Sequence, residues 1–329
     1  MNCGVPEQIS VLGAGSWGTA VALALARQGH QVLLWARNMV HVQHMQRHQC
    51  NEKYLPNVAF PSSLSVTANF EDALHTKNLL IAVPSNAFAD ILKDIKTLPY
   101  EGVAWLTKGL EPVSHRLFSD IIKEYYGQAL PMAMISGPSF AREVATQKPT
   151  ALVVAGTTPI ISKHWQKLLH SEVNRVYTSC DILGVQLCGA VKNVLAIACG
   201  ISDGLEYGAN SRAALITRGI AEMTLLGRAL GADEETFHGL AGLGDLVLTC
   251  TDNQSRNRRF GLLIGKGSSI ARATEEIQQV VEGLHNAKQV YQLAKQYHVD
   301  MPISRAVYQV LENKMSPAQA AKSLLQRPV

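Results

Sequence analysis

A glycine-rich turn near the start of the chain constrains the fold more than any other feature. A short apolar strand from Gln8 leads directly into the pattern G-x-G-x-x-G, and a helix rich in Ala and Leu follows. The three fixed positions are Gly13, Gly15 and Gly18. In such a turn the first glycine permits a tight bend, the second lets a pyrophosphate approach the backbone, and the third lets the helix pack on the strand. A purely structural turn is the alternative, but the second strand at Gln31–Trp35 favours a dinucleotide site at the helix start.

The first half of the chain alternates short apolar strands with helical patterns. Such alternation predicts a parallel sheet covered on both faces, which binds ligands beyond the carboxyl ends of its strands. The helical patterns include Asn86–Lys96, His115–Tyr126 and Pro159–His170. The predicted strands are Val32–Trp35, Asn78–Val83, Val103–Thr107, Met132–Ser136, Ala151–Ala155 and Arg175–Thr178.

The strand signals stop after about Asp181, and helical patterns take over. We therefore predict an α/β fold with two domains: a Rossmann-like, NAD(P)-binding domain with a parallel sheet at residues 1–180, and an all-helical domain at residues 181–329 that binds the substrate and carries the catalysis. The helices predicted in the second domain are Ile182–Ile201, Arg212–Leu230, Glu275–Val281, Asn286–Tyr297, Ile303–Asn313 and Pro317–Gln326.

The composition is typical of a globular protein. Hydrophobic residues make up 47 % and charged residues 17 %, and 329 residues suffice for two domains. The net charge is +4 and no block of like charges occurs, so we expect neither a nucleic-acid partner nor stable insertion into a membrane. A strand already begins by Ile9, which argues against a signal peptide.

Cysteine and histidine usage indicates no metal site. Six cysteines are scattered without a C-x-x-C pair, a pattern typical of free thiols in a reducing cytoplasm. His41, His44 and His48 lie at helical spacing with Cys50 nearby. No acidic partner is evident beside them, so we interpret them as a solvated helix face rather than as metal ligands.

Arg37 ends the strand that follows the glycine-rich helix. Folds specific for NAD often carry Asp or Glu here for the ribose 2′-hydroxyl, whereas an arginine accommodates a 2′-phosphate and stacks on the adenine. Arg37 therefore indicates that NADP is accepted. An ordinary surface arginine is the alternative.

Two charged residues stand alone in apolar surroundings. Lys192 is the only charged side chain between Asp181 and Asp203, which predicts a buried helix rather than a membrane span. A desolvated lysine has a depressed pKa suited to proton transfer, although a lysine at the helix surface is the alternative. Asp245 lies among small and apolar residues and needs a partner such as an active-site lysine, unless it caps a helix. Asn193 is placed to hydrogen-bond in the same cleft.

Three further segments carry groups suited to an anionic ligand. Lys108 follows a predicted strand and precedes a glycine, and the turn Ser136-Gly137-Pro138-Ser139 follows the next strand. Ser255 is placed to cap a helix that begins at Arg256. A helix start combined with forked guanidinium donors suits a phosphate monoester, while a solvated basic face is the alternative.

Together these stretches resemble the bacterial-type NAD(P)-dependent glycerol-3-phosphate dehydrogenases. The resemblance runs through nearly the whole chain and is most specific between Leu240 and Arg259. Two positions depart from the family pattern: Leu225 stands where a basic residue is usual, and Arg142 stands where lysine is common. The matching motifs are Gly13–Ala20, Leu34–Arg37, Thr107–Gly109, Ser136–Glu143, Val191–Asn193, Gly208–Arg212, Leu240–Arg259 and Val280–Gly283.

The resemblance implies reduction of dihydroxyacetone phosphate by NAD(P)H to sn-glycerol 3-phosphate, a precursor of phospholipids, with Lys192 as the general acid and base. The resemblance also implies cofactor contacts beyond the three glycines of the turn. These residues are Ser16, Trp17, Arg37, Lys108, Ala141, Arg256, Val280 and Glu282. The residues it implies at the substrate are Lys108, Gly137, Ser139, Asp245, Ser255, Arg256 and Asn257. To these we add Lys192 and Asn193.

These roles combine into an expected mechanism. Hydride reaches the ketone carbon, Lys192 protonates the resulting alkoxide, and Lys108 stabilises the developing charge. Asp245 orients Lys192, and Thr249 supports that pair. The residues expected to hold the phosphate, and so to fix which carbon faces the hydride, are Ser255, Arg256 and Asn257.

Other interpretations stay open at this point. A two-domain hydroxy-acid reductase would share the fold and a helix lysine, but its carboxylate substrate needs fewer cations than residues 255–259 supply. A non-catalytic NAD(P)-binding redox sensor would not need a desolvated proton donor. The helical domain could also serve mainly as a dimer interface, which is compatible with an enzyme. We expect a cytoplasmic homodimer, and the choice between NADP and NAD stays open.

The substitution Arg37→Asp tests the cofactor assignment. It replaces a cation suited to the 2′-phosphate by the acidic residue that suits a free ribose, so the KM for NADPH should rise far more than the KM for NADH. Steady-state rates with each cofactor measure both constants. Equal effects on the two cofactors would exclude Arg37 from contact with the 2′-phosphate.

Overall fold

The computed structural model describes residues 5–96, 98–99 and 101–327. The chain divides into two units, the first formed by Met1–Thr107 and Ser119–Ile182, and the second by Lys108–Phe118 and Leu183–Val329. Our prediction of a single division at residue 180 does not anticipate that Lys108–Phe118 belongs with the second half of the chain. Lys108 is therefore part of the helical unit.

The first unit contains an eight-stranded sheet and a separate two-stranded antiparallel pair, β3 with β4, in the part that the structure describes. The strands are β1 (Gln8–Leu12), β2 (Gln31–Trp35), β3 (Cys50–Asn51), β4 (Leu55–Ala59), β5 (Leu64–Thr67), β6 (Asn78–Ile81), β7 (Val103–Trp105), β8 (Met132–Ser136), β9 (Thr150–Gly156) and β10 (Asn174–Ser179).

Six strands of the large sheet are parallel, with β2 and β5 on one side of β1 and β6, β7 and β8 on the other. All residues of β6 and β8 are buried, as expected for parallel strands that are covered on both faces. This order is typical of doubly wound dinucleotide-binding sheets, and it brings the carboxyl ends of the six strands to one edge. The predicted Rossmann-like fold is confirmed.

The sheet is mostly parallel, and its far edge departs from the predicted arrangement. Strand β9 pairs antiparallel with β8, and β10 runs parallel to β9. The link from β8 to β9 contains one five-residue helix, Ala141–Ala145. Such a helix rises only about 7–8 Å, which is too short to carry the chain back along a strand of about 17 Å. An antiparallel neighbour needs no crossover.

Helices alternate with these strands, as the sequence predicts. Asn38, Asn69 and Thr158 cap three of them, because each side chain accepts a hydrogen bond from a backbone N–H in the first turn. The helices are α1 (Ser16–Arg27), α2 (Met39–His48), α3 (Phe70–Leu74), α4 (Ser85–Asp94), α5 (Phe118–Tyr126), α6 (Ala141–Ala145) and α7 (Pro159–Leu169).

Helix α5 begins later than the predicted start at His115. The carboxylate of Glu111 accepts hydrogen bonds from the backbone N–H groups of Val113 and Ser114, which holds the chain in a turn. His115 has a φ of 59°, in the left-handed region, so the helix cannot include it.

From Ile182 onward the described residues form helices joined by turns, as predicted. A π-helical turn at Leu240–Gly244 interrupts the α-helices. The helices are α8 (Ile182–Gly204), α9 (Gly208–Leu230), α10 (Glu234–His238), α11 (Asp245–Thr251), α12 (Arg256–Gly265), α13 (Ile270–Ile277), α14 (Glu282–Gln296), α15 (Pro302–Leu311) and α16 (Pro317–Leu325).

The predicted helix at Glu275–Val281 is wrong over most of its length. Ser269 caps α13 by accepting a hydrogen bond from the N–H of Arg272, so the helix begins at Ile270. It ends at Ile277 because Gln278 has a φ of 54°, a left-handed conformation that terminates a helix.

Helix α8 is the core of the second unit. It is long and apolar enough to cross a membrane by length and composition, but 89 % of its most apolar window is buried within the fold. It meets α12 at backbone distance: a Cβ at Gly200 would lie 2.1 Å from the carbonyl oxygen of Arg258, and one at Gly261 would lie 2.2 Å from that of Ile197. These contacts fix the start of α12 beside α8.

Glu222 of α9 ties that helix to the start of α15. Its side chain is almost fully buried. The carboxylate accepts hydrogen bonds from the N–H groups of Ile303 and Ser304, at 2.5 and 3.1 Å, and from the Ser304 hydroxyl at 2.9 Å. It thereby satisfies donors of a helix start that has no local side-chain cap.

The substitution Glu222→Ala should lower the free energy of unfolding by about 2–3 kcal/mol, because it leaves buried backbone donors without an acceptor. Denaturant unfolding followed by circular dichroism measures this change. Glu276→Ala, at an exposed position of α13, is the control and should alter stability by less than about 0.5 kcal/mol. An equally small change for Glu222→Ala would contradict the capping role.

Candidate functional site

The glycine-rich turn has the geometry expected of a pyrophosphate cradle. Gly13 has a φ of 125°, and a Cβ there would lie 2.6 Å from the carbonyl oxygen of Ala82. A Cβ at Gly18 would lie 2.1 Å from the carbonyl oxygen of Gly13, so α1 packs directly on the turn. A Cβ at Gly15 would meet no atom within 4 Å. No side chain caps α1, so its first N–H groups remain available to a phosphate.

The other first-unit residues expected at the cofactor follow the ends of parallel strands. The Ser16 hydroxyl donates to the carbonyl oxygen of Tyr54 at 2.7 Å. The indole N–H of Trp17 is buried without a partner among the described residues. Arg37 is exposed directly after β2, and Ala141 is the first residue of α6. The cradle and these positions fit a dinucleotide.

Gly137 and Ser139 lie in the turn after β8, as predicted. Gly137 has a φ of 126°, and a Cβ there would lie 2.9 Å from the carbonyl oxygen of Ala151. The Ser139 hydroxyl donates to the carbonyl oxygen of Gly137 at 3.2 Å. The turn therefore needs glycine for its conformation and for its contact with β9.

The second unit brings all four predicted catalytic residues into one buried cluster. The Lys108 ammonium donates to one carboxylate oxygen of Asp245 at 2.7 Å, and the Lys192 ammonium donates to the other at 2.5 Å. Lys192 also donates to the hydroxyl of Thr249 at 3.1 Å, and that hydroxyl donates to the Asp245 backbone carbonyl. Asp245 and Lys192 are only 2 % and 6 % exposed. One carboxylate therefore stands between two ammonium groups.

This arrangement perturbs the pKa values of Lys192 and Asp245. Burial lowers the pKa of Lys192 to about 7; the Asp245 charge acts to raise it, and the Lys108 charge acts to lower it further. Burial alone would raise the pKa of Asp245, but the two ammonium groups outweigh that effect and lower it. Lys192 can therefore gain and lose a proton near neutral pH while Asp245 stays ionised.

Local backbone geometry explains how Asp245 reaches this position. It is the first residue of α11 and follows the π-helical turn. A Cβ at Gly242 would lie 2.2 Å from the carbonyl oxygen of Phe237, so the turn requires glycine. The N-cap residue of α11 is Gly244. The alternative that Asp245 caps the helix is therefore wrong.

The start of α12 carries an arginine with a single hydrogen bond among the described residues. The Ser255 hydroxyl accepts a hydrogen bond from the N–H of Arg258, which leaves its proton free to be donated. Arg256 makes a long hydrogen bond, 3.4 Å, to Gln279. Burial lowers its pKa, whereas the charge of Glu282 acts to raise it. Its donors are thus largely available to a ligand.

Arg258 is committed to the fold rather than to a ligand. Its guanidinium pairs with Asp203 at 2.5 Å and donates to Asn253. Arg212 pairs with the same carboxylate at 2.9 Å. In the sequence Asp203 is only the next charge after Lys192, because nothing local indicates two arginine partners.

Asn193 and Asn257 are joined to each other. The Asn257 amide donates to Asn193 Oδ1 at 2.9 Å, and the N–H of Gly283 donates to Asn257 Oδ1 at 2.9 Å. Glu282 is the first residue of α14, and Val280, half-exposed, precedes that helix. The substrate roles predicted for both asparagines stay predictions.

The histidines of α2 have other partners. His41 hydrogen-bonds with Asn51 at 3.0 Å, and His44 lies 3.6 Å from the carboxylate of Glu52. Within residues 5–96, 98–99 and 101–327, no group of three or more His, Cys, Asp or Glu side chains is arranged to hold a metal ion.

Comparisons with known proteins find relatives over nearly the whole chain. The model of the NAD-dependent glycerol-3-phosphate dehydrogenase N-terminus matches residues 8–160, and that of the C-terminus matches residues 181–322. A glycerol-3-phosphate dehydrogenase of Legionella pneumophila strain Lens, named for NAD(P)+, is 53 % identical over 323 residues, which are 98 % of either chain. The corresponding enzyme of Shewanella frigidimarina is 52 % identical and covers 97 % of this chain and 96 % of its own. The crystal structure of glycerol-3-phosphate dehydrogenase from Coxiella burnetii has 47 % identity and a TM-score of 0.94, with 98 % of this chain and 99 % of that one covered.

The substitution Asp245→Asn should lower the pKa of Lys192 below its value of about 7. The reason is that it removes the charge that favours the ammonium form while Lys108 remains. Carbon-13 NMR of labelled lysine as a function of pH follows the titration. Asp233→Asn, which changes an exposed carboxylate elsewhere in the same unit, should leave it unchanged. A rise in the pKa of Lys192 in Asp245→Asn would contradict the electrostatic role assigned to Asp245.

Proposed function

The chain belongs to the NAD-dependent glycerol-3-phosphate dehydrogenase family, and on that premise we propose how its residues reduce dihydroxyacetone phosphate to glycerol 3-phosphate with NAD(P)H. Lys192 is the general acid. The observation that carries this assignment is the buried cluster in which Lys192 and Lys108 share the carboxylate of Asp245. Proton transfer at neutral pH requires such a group, with a pKa near 7.

The chemistry divides between the cofactor and the protein. A bound reduced nicotinamide would supply a hydride to the ketone carbon, which leaves the carbonyl oxygen as an alkoxide. Lys192 donates its proton to that alkoxide oxygen and becomes a neutral amine. In the direction of oxidation the neutral amine removes the hydroxyl proton as the hydride leaves. Thr249 accepts a hydrogen bond from Lys192 and, with Asp245, orients the ammonium toward the reacting oxygen.

Charge balance in the cluster suits a phosphorylated substrate. With both lysines protonated and Asp245 ionised, the formal charge of these three groups is +1. After Lys192 gives up its proton, the charge is zero, and Lys108 still pairs with Asp245. The acid form therefore attracts an anionic substrate, and Lys108 adds stabilisation to the negative charge that develops on the substrate oxygen.

The phosphate of the substrate binds at the start of α12 in this proposal. Ser255 has a hydroxyl proton to donate, and Arg256 is a partly buried cation with a single long hydrogen bond among the described residues. Asn257 lies in the same turn; the N–H of Arg258 is capped by Ser255, whereas the N–H groups of Arg256 and Asn257 precede the first intrahelical hydrogen bond. Gly137 and Ser139 of the first unit complete the proposed substrate set.

We further propose that residues 1–180 bind the dinucleotide and that residues 181–329 bind the substrate. The cradle at Gly15 and the free helix start support the first assignment. The proposed contacts to the cofactor are Ser16, Trp17, Arg37, Lys108, Ala141, Arg256, Val280 and Glu282. Arg37 supports acceptance of NADP. Supply of glycerol 3-phosphate for phospholipids, a homodimer and a cytoplasmic location remain predictions.

One assay separates this function from its competitors. Initial rates of NADPH and NADH oxidation are measured with dihydroxyacetone phosphate and with a panel of 2-keto acids. Turnover restricted to the phosphorylated ketone is expected, because the cation at the start of α12 suits a phosphate monoester. Preference for a 2-keto acid would favour the hydroxy-acid reductase, and tight cofactor binding without any turnover would favour the redox sensor.

The substitution Lys192→Met tests the general acid. It keeps an apolar stem but removes the titrating amine, so kcat should fall by roughly 10²–10⁴. Stability should not fall, because a buried charge is removed and Asp245 keeps Lys108 as its partner. Lys266→Met, at an exposed position, is the control for loss of a lysine. Near-normal kcat in folded Lys192→Met would transfer the proton donor to another residue.

The pH profile of the unsubstituted enzyme checks the same assignment. Reduction requires protonated Lys192, so kcat/KM for dihydroxyacetone phosphate should fall as the pH rises through about 7. Oxidation requires the neutral amine, so kcat/KM for glycerol 3-phosphate should rise through the same range. Both limbs should vanish in the residual activity of Lys192→Met. Limbs that persist in that variant would assign the titration to a different group.

A further inference from the structure

Four buried side-chain amides form a continuous chain through the second unit. They belong to Asn257 of α12, Asn193 of α8, and Asn286 and Gln289 of α14. Their exposed fractions are 8 %, 5 %, 0 % and 2 % in that order. Asn286 and Gln289 lie outside every motif and every site role considered above, so their burial calls for a separate explanation.

The chain runs between two backbone groups. The N–H of Gly283 donates to Asn257 Oδ1 at 2.9 Å, and Asn257 Nδ2 donates to Asn193 Oδ1 at 2.9 Å. Asn193 Nδ2 donates to Asn286 Oδ1 at 2.9 Å, and Asn286 Nδ2 donates to Gln289 Oε1 at 2.8 Å. Gln289 Nε2 then donates to the carbonyl oxygen of Leu110 at 3.0 Å.

The two ends of this amide chain fix the orientation of every member. A backbone N–H can only donate and a backbone carbonyl can only accept. Each amide must therefore present its oxygen toward Gly283 and its NH₂ group toward Leu110. Turning one amide over would oppose oxygen to oxygen on one side and NH₂ to NH₂ on the other. In a dry interior such a mismatch leaves buried polar groups unpaired.

Four residues in or bound by the amide chain lie within two positions of a residue of the proposed site. Asn193 follows Lys192, and Asn257 follows Arg256. Gly283 follows Glu282. Leu110 lies two residues after Lys108, and the short distance along the backbone couples its position to that of the Lys108 side chain. The amide chain therefore joins four separate segments that carry the proposed cofactor and substrate contacts.

We propose that Asn286 and Gln289 are positioning residues for the reduction, and that they hold the segment Lys108–Leu110 (the Lys108 segment) in register with Lys192 through the amide chain. This inference rests on the proposed function for its kinetic consequence. Gln289 supplies the side-chain hydrogen bond to Leu110, and Asn286 connects that bond to α8 and α12. Lys108 itself carries the ammonium group that shares the carboxylate of Asp245 with Lys192.

A displaced Lys108 has a defined electrostatic consequence. Lys192 faces Asp245 and Thr249 of α11, Lys108, and the thiol of Cys250, whose pKa is raised by burial so that it stays neutral where Lys192 titrates. Lys108 lowers the pKa of Lys192 through like charge and also competes for Asp245. If Lys108 withdraws, the pKa of Lys192 should rise, and the falling limb of kcat/KM for reduction should move to higher pH.

The substitution Gln289→Glu makes this role conditional on pH. Glutamate has nearly the same shape and still accepts from Asn286, but it can donate to Leu110 only when its carboxyl group is protonated. Burial favours the protonated form. The ratio of kcat/KM for the variant to that of the unsubstituted enzyme should therefore approach one at low pH. It should fall by about tenfold or more once the carboxyl ionises. Ionisation of the substrate and cofactor affects kcat/KM of both enzymes equally, so the ratio at each pH is free of that effect.

Two further variants separate positioning from general stability. Gln289→Met cannot donate at any pH, so its loss of kcat/KM should persist at low pH, with the limb of the profile shifted upward. Ser304→Ala removes a buried hydrogen bond to Glu222 in the same unit, outside the amide chain. It should lower the melting temperature without changing the shape of the pH profile. Lysine NMR on Gln289→Met should show the raised pKa of Lys192 without any substrate.

The outcomes are distinct. Recovery of Gln289→Glu at low pH, together with a raised pKa of Lys192 in Gln289→Met, supports the positioning role. The role is overturned if both Gln289 variants match Ser304→Ala, with lower stability and an unchanged profile. It is also overturned if Gln289→Glu loses the same factor at every pH. If the unsubstituted enzyme does not reduce dihydroxyacetone phosphate, the proposed function fails instead, and lysine NMR still decides the position of Lys108.

Discussion

A single buried carboxylate, shared by two ammonium groups, is the interaction on which the second unit depends. Asp245 is almost inaccessible to solvent and receives Lys108 on one oxygen and Lys192 on the other. Burying a charge is unfavourable unless it is paired and hydrogen-bonded, so the Asp245 carboxylate needs at least one of the two ammonium groups. The pairing also fits the division of the chain, which leaves the first unit after Thr107 and returns to it at Ser119: Lys108 thereby belongs to the helical unit.

Close backbone contact between α8 and α12 provides the framework for this cluster. Glycines at positions 200 and 261 let each helix meet a carbonyl of the other at distances that no side chain would allow. The start of α12 is thereby held beside the middle of α8, where Lys192 and Asn193 lie. Asn257 can then reach Asn193 directly. The small residues of the apolar segment therefore serve a geometric purpose, and Lys192 within it finds its hydrogen-bond partners, Asp245 and Thr249, on α11.

Chemically similar side chains have different roles in this fold. Arg258 is neutralised by Asp203 and so helps to hold α12 in place, whereas Arg256, two residues earlier, keeps its donors largely unused. Among the amides, Asn286 and Gln289 point into the interior and extend the network that begins at Gly283. A buried polar group is stable when it hydrogen-bonds to the protein or to a bound ligand. Residues with protein partners are therefore structural, and residues with unused donors are candidates for ligand binding.

The sequence by itself determined the features whose physics is local. The strand–glycine–helix pattern at Gly13, the alternation of strands and helices, and the isolation of Lys192 in an apolar segment all depend on neighbours along the chain. Only the tertiary structure decided the antiparallel direction of β9, the transfer of Lys108–Phe118 to the helical unit, the pairing of Arg258 and the amide chain through Gln289. Each of these depends on partners far away in sequence, because burial and hydrogen bonding select contacts by position in space.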